Sequence, residues 1–295
     1  MGGRSEKLLA LAGGDFKGKT TGELGGLFKE VLETGMYGLC FSPYEDGQNP
    51  GDQLSEIQIH RRMQIIRPYT KWIRSFSCTE GNELIPKIAK EYGLKTLVGA
   101  WLGKDPDINQ HEIENLVRIT KEGHVDIAAA GNEVMYRKDL TEEELLKSIY
   151  QVKEAIPDVP VGYVDAYYEF TARPKITEAC DVILANCYPY WEGCHIDYSL
   201  LYMKDMYNLA RNAANSKKVI ISETGWPGKG TSLMDAYPSA ENFMKYFINT
   251  QKWSAEDNIE VFYFSSFDES WKVGAEGDVG AFWGLWDKDE NLKFQ

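Results

Sequence analysis

Short runs rich in β-branched, aromatic and other apolar residues recur along the chain, at 38–44, 72–77, 96–102, 127–134, 161–167, 181–188, 218–226 and 260–268. Several are apolar without alternation, the pattern of parallel strands covered on both faces. Between them, apolar positions take helical spacing, predicting helices over 55–66, 84–92, 111–122, 141–156, 199–214 and 240–255, with a short link near 176–179. Thr141 and Glu144 have the spacing of a capping box. Strand, helix, strand repeated about eight times predicts an α/β fold, a (β/α)8 TIM barrel spanning 1–295 as a single domain. No final helix is expected after the eighth strand. A helical segment at 23–33, within an N-terminal extension over 1–37 that packs on the barrel, is expected to cover that gap.

Barrels of this kind carry their chemistry at the C-terminal ends of the strands. The fourth run ends Gly131-Asn132-Glu133-Val134 and the seventh Ser222-Glu223-Thr224-Gly225-Trp226. Each apolar run thus delivers one glutamate to the rim, and strands four and seven stand roughly opposite. Two carboxylates facing one pocket suit glycosidic bond cleavage. One gives a proton to the leaving oxygen while the other faces the oxocarbenium-like centre. The competing reading is two structural ion-pair partners.

Composition narrows the partners. Lys and Arg total 32 against 45 Asp and Glu, a net charge of −13, with no basic stripe, so nucleic acid and anionic membrane surfaces are poor partners. Core and surface packing account for most of the eight Trp and 17 Tyr, but sugar clefts also use flat aromatic faces, which leaves a site for some of them. The five cysteines, an odd number without zinc-ligand spacing, are expected to be free or buried thiols. The four histidines share no ligand pattern, so neither metal nor organic cofactor is expected. No run approaches a membrane span. Residues 1–12 lack a signal-type apolar stretch, so either the protein is cytoplasmic or its leader has been removed. The start Met1-Gly2-Gly3 favours the second reading and a secreted, periplasmic or cell-surface protein. A monomer is expected.

Four motifs in strand order resemble glycoside hydrolase family 17, the retaining β-1,3-glucanase barrels. They are Gly131-Asn132-Glu133, Asn186-Cys187-Tyr188-Pro189-Tyr190-Trp191, Ser222-Glu223-Thr224-Gly225-Trp226-Pro227 and Phe267-Asp268-Glu269-Ser270-Trp271-Lys272. The likeness runs from about Gly38 to the C-terminus. It implies Glu133 as acid then base, Glu223 as nucleophile, Asn132 on the sugar 2-hydroxyl, and Glu269 and Lys272 beside the nucleophile. Asn186 and Tyr44 fall among the substrate-binding positions. Tyr188, Tyr190, Trp226 and Trp283 are candidates for sugar stacking or for packing, and Arg74 for a buried cation near the carboxylates. Members often show Arg-Ile/Leu-Tyr in strand two, where this chain has Arg74-Ser75-Phe76 and so lacks the tyrosine hydroxyl at position 76. The run 191–198 is short, as in compact microbial members. The expected activity is endo-acting hydrolysis of laminarin-type β-1,3-glucan with retention. The alternatives are a β-1,3-glucanosyltransferase with the same two glutamates, a barrel for another β-glycan, and a non-catalytic glycan-binding barrel.

Overall fold

Parallel ladders join the strands in sequence order and close on themselves. The computed structural model describes residues 13–294, so the leader reading of residues 1–12 falls outside it. β1 (Met36–Cys40), β2 (Thr70–Ser75), β3 (Lys95–Ala100), β4 (Ile127–Asn132), β5 (Val161–Ala166), β6 (Val182–Asn186), β7 (Lys218–Thr224) and β8 (Val261–Tyr263) form the ring, with β8 returning to β1. The fold is the expected (β/α)8 barrel. β4 and β6 are buried at every position, which is why their sequences show no alternation.

Every predicted strand runs past the observed ladder. The apolar pattern continues onto the rim, but the pairing does not. Register shifts interrupt the ladders between Ala129 and Asn132, between Ala185 and Asn186, and between Ile221 and Thr224. Bulges of this kind turn side chains out of the pleat. β8 is shortest because the chain after it pairs elsewhere. Ser265 N–H donates to Trp283 O at 3.1 Å and Leu285 N–H to Ser265 O at 2.9 Å.

The outer layer comprises α1 (Thr21–Glu33), α2 (Glu56–Ile66), α3 (Ile85–Glu91), α4 (Pro106–Lys121), α5 (Val134–Arg137), α6 (Glu142–Ala155), α7 (Glu169–Ala172), α8 (Pro174–Ala179), α9 (Ser199–Ala213), α10 (Ala240–Asp257) and α11 (Val273–Glu276). Thr141 and Glu144 form their capping box, and Thr20 with Glu23 and Ser55 with Gln58 form two more. α4 starts at Pro106, earlier than its apolar spacing predicts. Asp105 caps it by accepting from the N–H groups of Asp107 and Ile108, and proline suits the first helical position. On α1, the Phe28 ring lies 4.8 Å from Phe247 and 6.2 Å from Phe243 of α10. It stands where the segment after β8 supplies only short helical turns.

Candidate active site

Backbone shape delivers the two glutamates. Gly131 has φ +96°, and a Cβ there would meet Val134 Cγ2 at 2.9 Å, so β4 can leave its ladder only through glycine. Glu133 itself is left-handed, at φ 50° and ψ 29°, a conformation a non-glycine residue holds only where its surroundings impose it. Its N–H donates to Val164 O of β5 at 2.8 Å. Glu223 lies in the β7 bulge, its carbonyl accepting from Cys187 N at 3.0 Å. Two residues on, a Cβ at Gly225 would sit 2.2 Å from Phe264 O.

The two carboxyls share one amide. Asn186 Nδ2 donates to Glu133 Oε1 at 2.8 Å and to Glu223 Oε1 at 3.2 Å. These two oxygens therefore lie no farther apart than the two bonds laid end to end, about 6 Å. Ser222 Oγ donates to Asn186 Oδ1 at 2.9 Å, which fixes the amide with its nitrogen toward the acids. Arg74 Nη1 reaches Glu223 Oε1 at 2.5 Å and Ser222 O at 3.0 Å, and Nη2 reaches Asn132 Oδ1 at 2.6 Å. The Phe76 ring stands 4.3 Å from the guanidinium, meeting it as a cation–π face. Tyr188 donates its hydroxyl to Glu223 Oε2 at 2.8 Å. Glu223 thus has a cation and two further donors, whereas Asn186 is the one donor at Glu133 that opposes its proton. Burial, then the neighbouring charge of Glu223, pushes the Glu133 carboxyl up to about 7.

Behind Glu223, Lys272 Nζ lies 3.4 Å from Glu269 Oε2 and 3.9 Å from Glu276 Oε1, and 4.0 Å from the Phe264 ring centroid. Burial works against its charge, but Glu269, Glu276 and Glu223 together outweigh burial and keep it protonated. The direct cation on Glu223 is Arg74, while Lys272 neutralises the other two acids. Tyr44 is buried, its hydroxyl accepting from Asn82 Nδ2 at 3.3 Å and its ring edge-on to Trp271.

Of the two roles open to the aromatic candidates, packing is the one observed for three of them. Tyr190, Trp226 and Trp283 are fully buried, and their rings pack on one another and on Tyr188, Tyr246 and Phe264. No face is left for a sugar. They form a wall instead, and Trp226 Nε1 donates to Tyr237 O at 3.1 Å. The exposed ring on this wall is Trp191, 40% accessible and 5.6 Å from Trp283. Across the rim Trp101 is exposed too, its ring 4.4 Å from the Arg137 guanidinium. Sequence reasoning passed over Trp191, which lies inside a quoted motif, and Asp165, an acid within the apolar 161–167 run. It also passed over Glu276, which only its spacing of four from Lys272 betrays.

Paired acids sharing one amide at the C-terminal rim of a closed parallel barrel are the arrangement that glycosidic bond cleavage needs, and likeness to known proteins gives the class as a glycoside hydrolase. A family described as the BtgE/BtgC glycoside hydrolase domain matches residues 38–284, and the chain belongs to it, within glycoside hydrolase family 17. The chain is 26% identical over 275 residues to a glucan 1,3-β-glucosidase of Saccharomyces cerevisiae, covering 83% of this chain and 87% of that one. A probable glucan endo-1,3-β-glucosidase of Aspergillus fumigatus is 26% identical over 294 residues, covering 88% of this chain and 41% of that protein. The crystal structure of a glycoside hydrolase family 17 β-1,3-glucanosyltransferase from Rhizomucor miehei is similar with a TM-score of 0.79 and 29% identity. The match covers 88% of this chain and 96% of that one.

Proposed function

We propose that this chain cleaves β-1,3-glucan internally, with retention, by double displacement. Glu133 gives its proton to the glycosidic oxygen as that oxygen leaves C1, and a Glu223 carboxylate oxygen bonds to C1. Glu133, now a carboxylate, takes a proton from water. The water oxygen bonds to C1 and Glu223 is released. The observation that carries this reading is the shared Asn186 amide. It limits the two facing oxygens to at most about 6 Å, a bound that accommodates the roughly 5–5.5 Å of retaining enzymes and falls below the roughly 6.5–9.5 Å that admits an attacking water. The electrostatics agree, since one acid is held protonated towards neutral pH while the other faces Arg74. Asn132 is assigned to the sugar 2-hydroxyl, and Tyr188, Glu269 and Lys272 to the ground around the reacting carbon.

The substrate class rests on the relatives. An active-site mutant of the Rhizomucor miehei enzyme was solved in complex with laminaritriose. That protein's description as a glucanosyltransferase favours one second reading. There a sugar hydroxyl replaces water in the second step, and the same glutamates serve. A polymer too large to cross a membrane supports action outside the cytoplasm. The described residues hold no helix long and apolar enough to cross one. Incubation with soluble β-1,3-glucan, with products resolved by size and anomeric form, tests these points together. Shorter β-anomers are the expected products, chains longer than the substrate reveal transfer, and α-anomers overturn the double displacement.

A further inference from the structure

Glu133 occupies a left-handed backbone that its own preferences do not favour, so its neighbours must impose it. Two sets of contacts do so. On one side Arg137 of α5 donates to Asn132 O and to Leu102 O, and its Nε lies 2.7 Å from Asp139 Oδ2. On the other side stands β5. The Tyr163 hydroxyl accepts the N–H of Met135 at 2.9 Å and donates to Asp165 Oδ2. Asp165 Oδ2 also accepts from the N–H of Tyr136 at 3.3 Å, and Oδ1 from Ala166 N at 2.8 Å. Met135 and Tyr136 are the second and third residues of the short helix that Val134 opens directly after Glu133. Their N–H groups are the first-turn donors that a helix cannot satisfy internally.

Asp165 and Tyr163 are both fully buried, in a strand that is otherwise apolar. A carboxylate in such a place is costly, and burial pushes Asp165 up to about 6. Packing alone would be better served by an apolar side chain. What an apolar residue cannot do is hold the peptide groups of 135 and 136, and through them the turn at 133. We infer that Tyr163 and Asp165 are positioning residues, which set the Glu133 carboxyl on the leaving-group oxygen without touching sugar. This rests on the reading of Glu133 as acid and base.

The test uses two substrates and the full chain. One is a laminari-oligosaccharide, whose leaving sugar needs a proton. The other is a 2,4-dinitrophenyl β-laminarioside, whose phenolate leaves without one. On either, kcat/KM reports departure of the leaving group. Tyr163→Phe removes one hydroxyl, and Asp165→Asn puts an amide nitrogen where an acceptor stood. Each is expected to lose about 10- to 100-fold in kcat/KM on the oligosaccharide, mostly in kcat, the scale of a misplaced acid. On the aryl substrate each stays within a few-fold of wild type. Equal losses on both substrates, or loss on neither, overturn the inference. If Asp165→Asn does not fold, Tyr163→Phe decides alone. Glu133→Gln is the control and must show the same selective loss. If it does not, the acid/base assignment itself fails and this inference falls with it, whereas selective loss in Glu133→Gln alone refutes only the positioning role.

Discussion

Arg74 Nη1 stands 2.5 Å from Glu223 Oε1, and both side chains are almost wholly buried. A buried ion pair is a poor source of stability, because desolvating two charges offsets most of their attraction. The use of this one is geometric. One planar guanidinium reaches the Glu223 carboxylate, Ser222 O and Asn132 Oδ1, and so ties the ends of β2, β4 and β7 into one frame. A lysine at position 74 keeps the charge but has no such fork. Arg74→Lys is therefore expected to lower kcat by roughly 10- to 100-fold, the cost of about 1 Å of misplacement, with KM nearly unchanged. Arg74→Met leaves Glu223 buried and unpaired. It is expected to cost about 3–5 kcal/mol of unfolding free energy, read by urea denaturation at neutral pH.

With Glu133 as the proposed acid, its raised pKa predicts the alkaline side of the activity. Burial and the charge of Glu223 hold this carboxyl up to about 7, against the pull of the Asn186 amide. A general acid works only while protonated. The kcat/KM for β-1,3-glucan is therefore expected to fall as pH rises through about 7. A profile flat from pH 6 to pH 9 contradicts the assignment.

The same shift makes a statement about stability. The folded-state pKa lies above the unfolded value near 4.5. Between about 4.5 and 7 the unfolded chain binds fewer protons at this position than the native one. Stability contributed by Glu133 therefore falls as pH rises through that window, and the penalty is complete above it. Glu133→Gln keeps an acceptor for Asn186 and removes the charge. The variant is expected to melt with wild type at about pH 4 and above it at about pH 8, a stability gained at the expense of function. Melting curves at the two pH values check the sign. A variant less stable at the higher pH refutes it.

How far the sequence already disclosed this site depends on the kind of residue. Glu133 and Glu223 were legible because each is an acid at the end of an apolar run, where a parallel barrel can only place it at the rim. The strand ends were not legible. The apolar pattern continues through Val134, Tyr188 and Trp226, whereas the ladders shift register before Asn132, Asn186 and Thr224 and stop after them. The choice between stacking and packing for the aromatic candidates was not legible for a related reason. Beyond the ladder the two-residue alternation is lost, so nothing in Tyr188-Pro189-Tyr190-Trp191 says which ring faces out. Asp165 was passed over although it is an acid among apolar residues, because its partners, the N–H groups after Glu133, belong to another strand's loop.

The exposed and buried rings of the aromatic wall separate binding from folding. Trp191 has an open face, so Trp191→Ala is expected to raise KM for long β-1,3-glucans by roughly 5- to 50-fold, about 1–2 kcal/mol of lost ring contact, with little change in melting temperature. Trp226 has none, so Trp226→Ala is expected to cost about 3–5 kcal/mol of stability through the cavity it opens. Steady-state kinetics on glucans of graded length, beside urea denaturation, distinguish the two. A Trp191 variant with unchanged KM at every length removes that ring from the binding surface.

Glu112 fastens the ends of two strands on the Trp101 side of the rim with one buried carboxylate. It comes from α4 and is fully buried. Oε2 accepts from the N–H groups of Cys78 at 2.8 Å and Trp101 at 2.9 Å. Oε1 accepts from Ser77 Oγ at 2.5 Å and Thr79 Oγ1 at 2.6 Å. One side chain thus binds the loop after β2 to the end of β3, from which Trp101 projects onto the rim. Glu112→Ala strands two backbone donors and opens a void. At about 1–3 kcal/mol for each unpaired buried group, it is expected to cost at least about 3 kcal/mol of unfolding free energy. Glu112→Gln keeps the shape but can accept at only one of its two positions. It is expected to cost less, and to raise KM for glucan through a loosened Trp101. A Glu112→Gln variant with wild-type stability and wild-type KM would show that the four bonds position nothing the substrate feels.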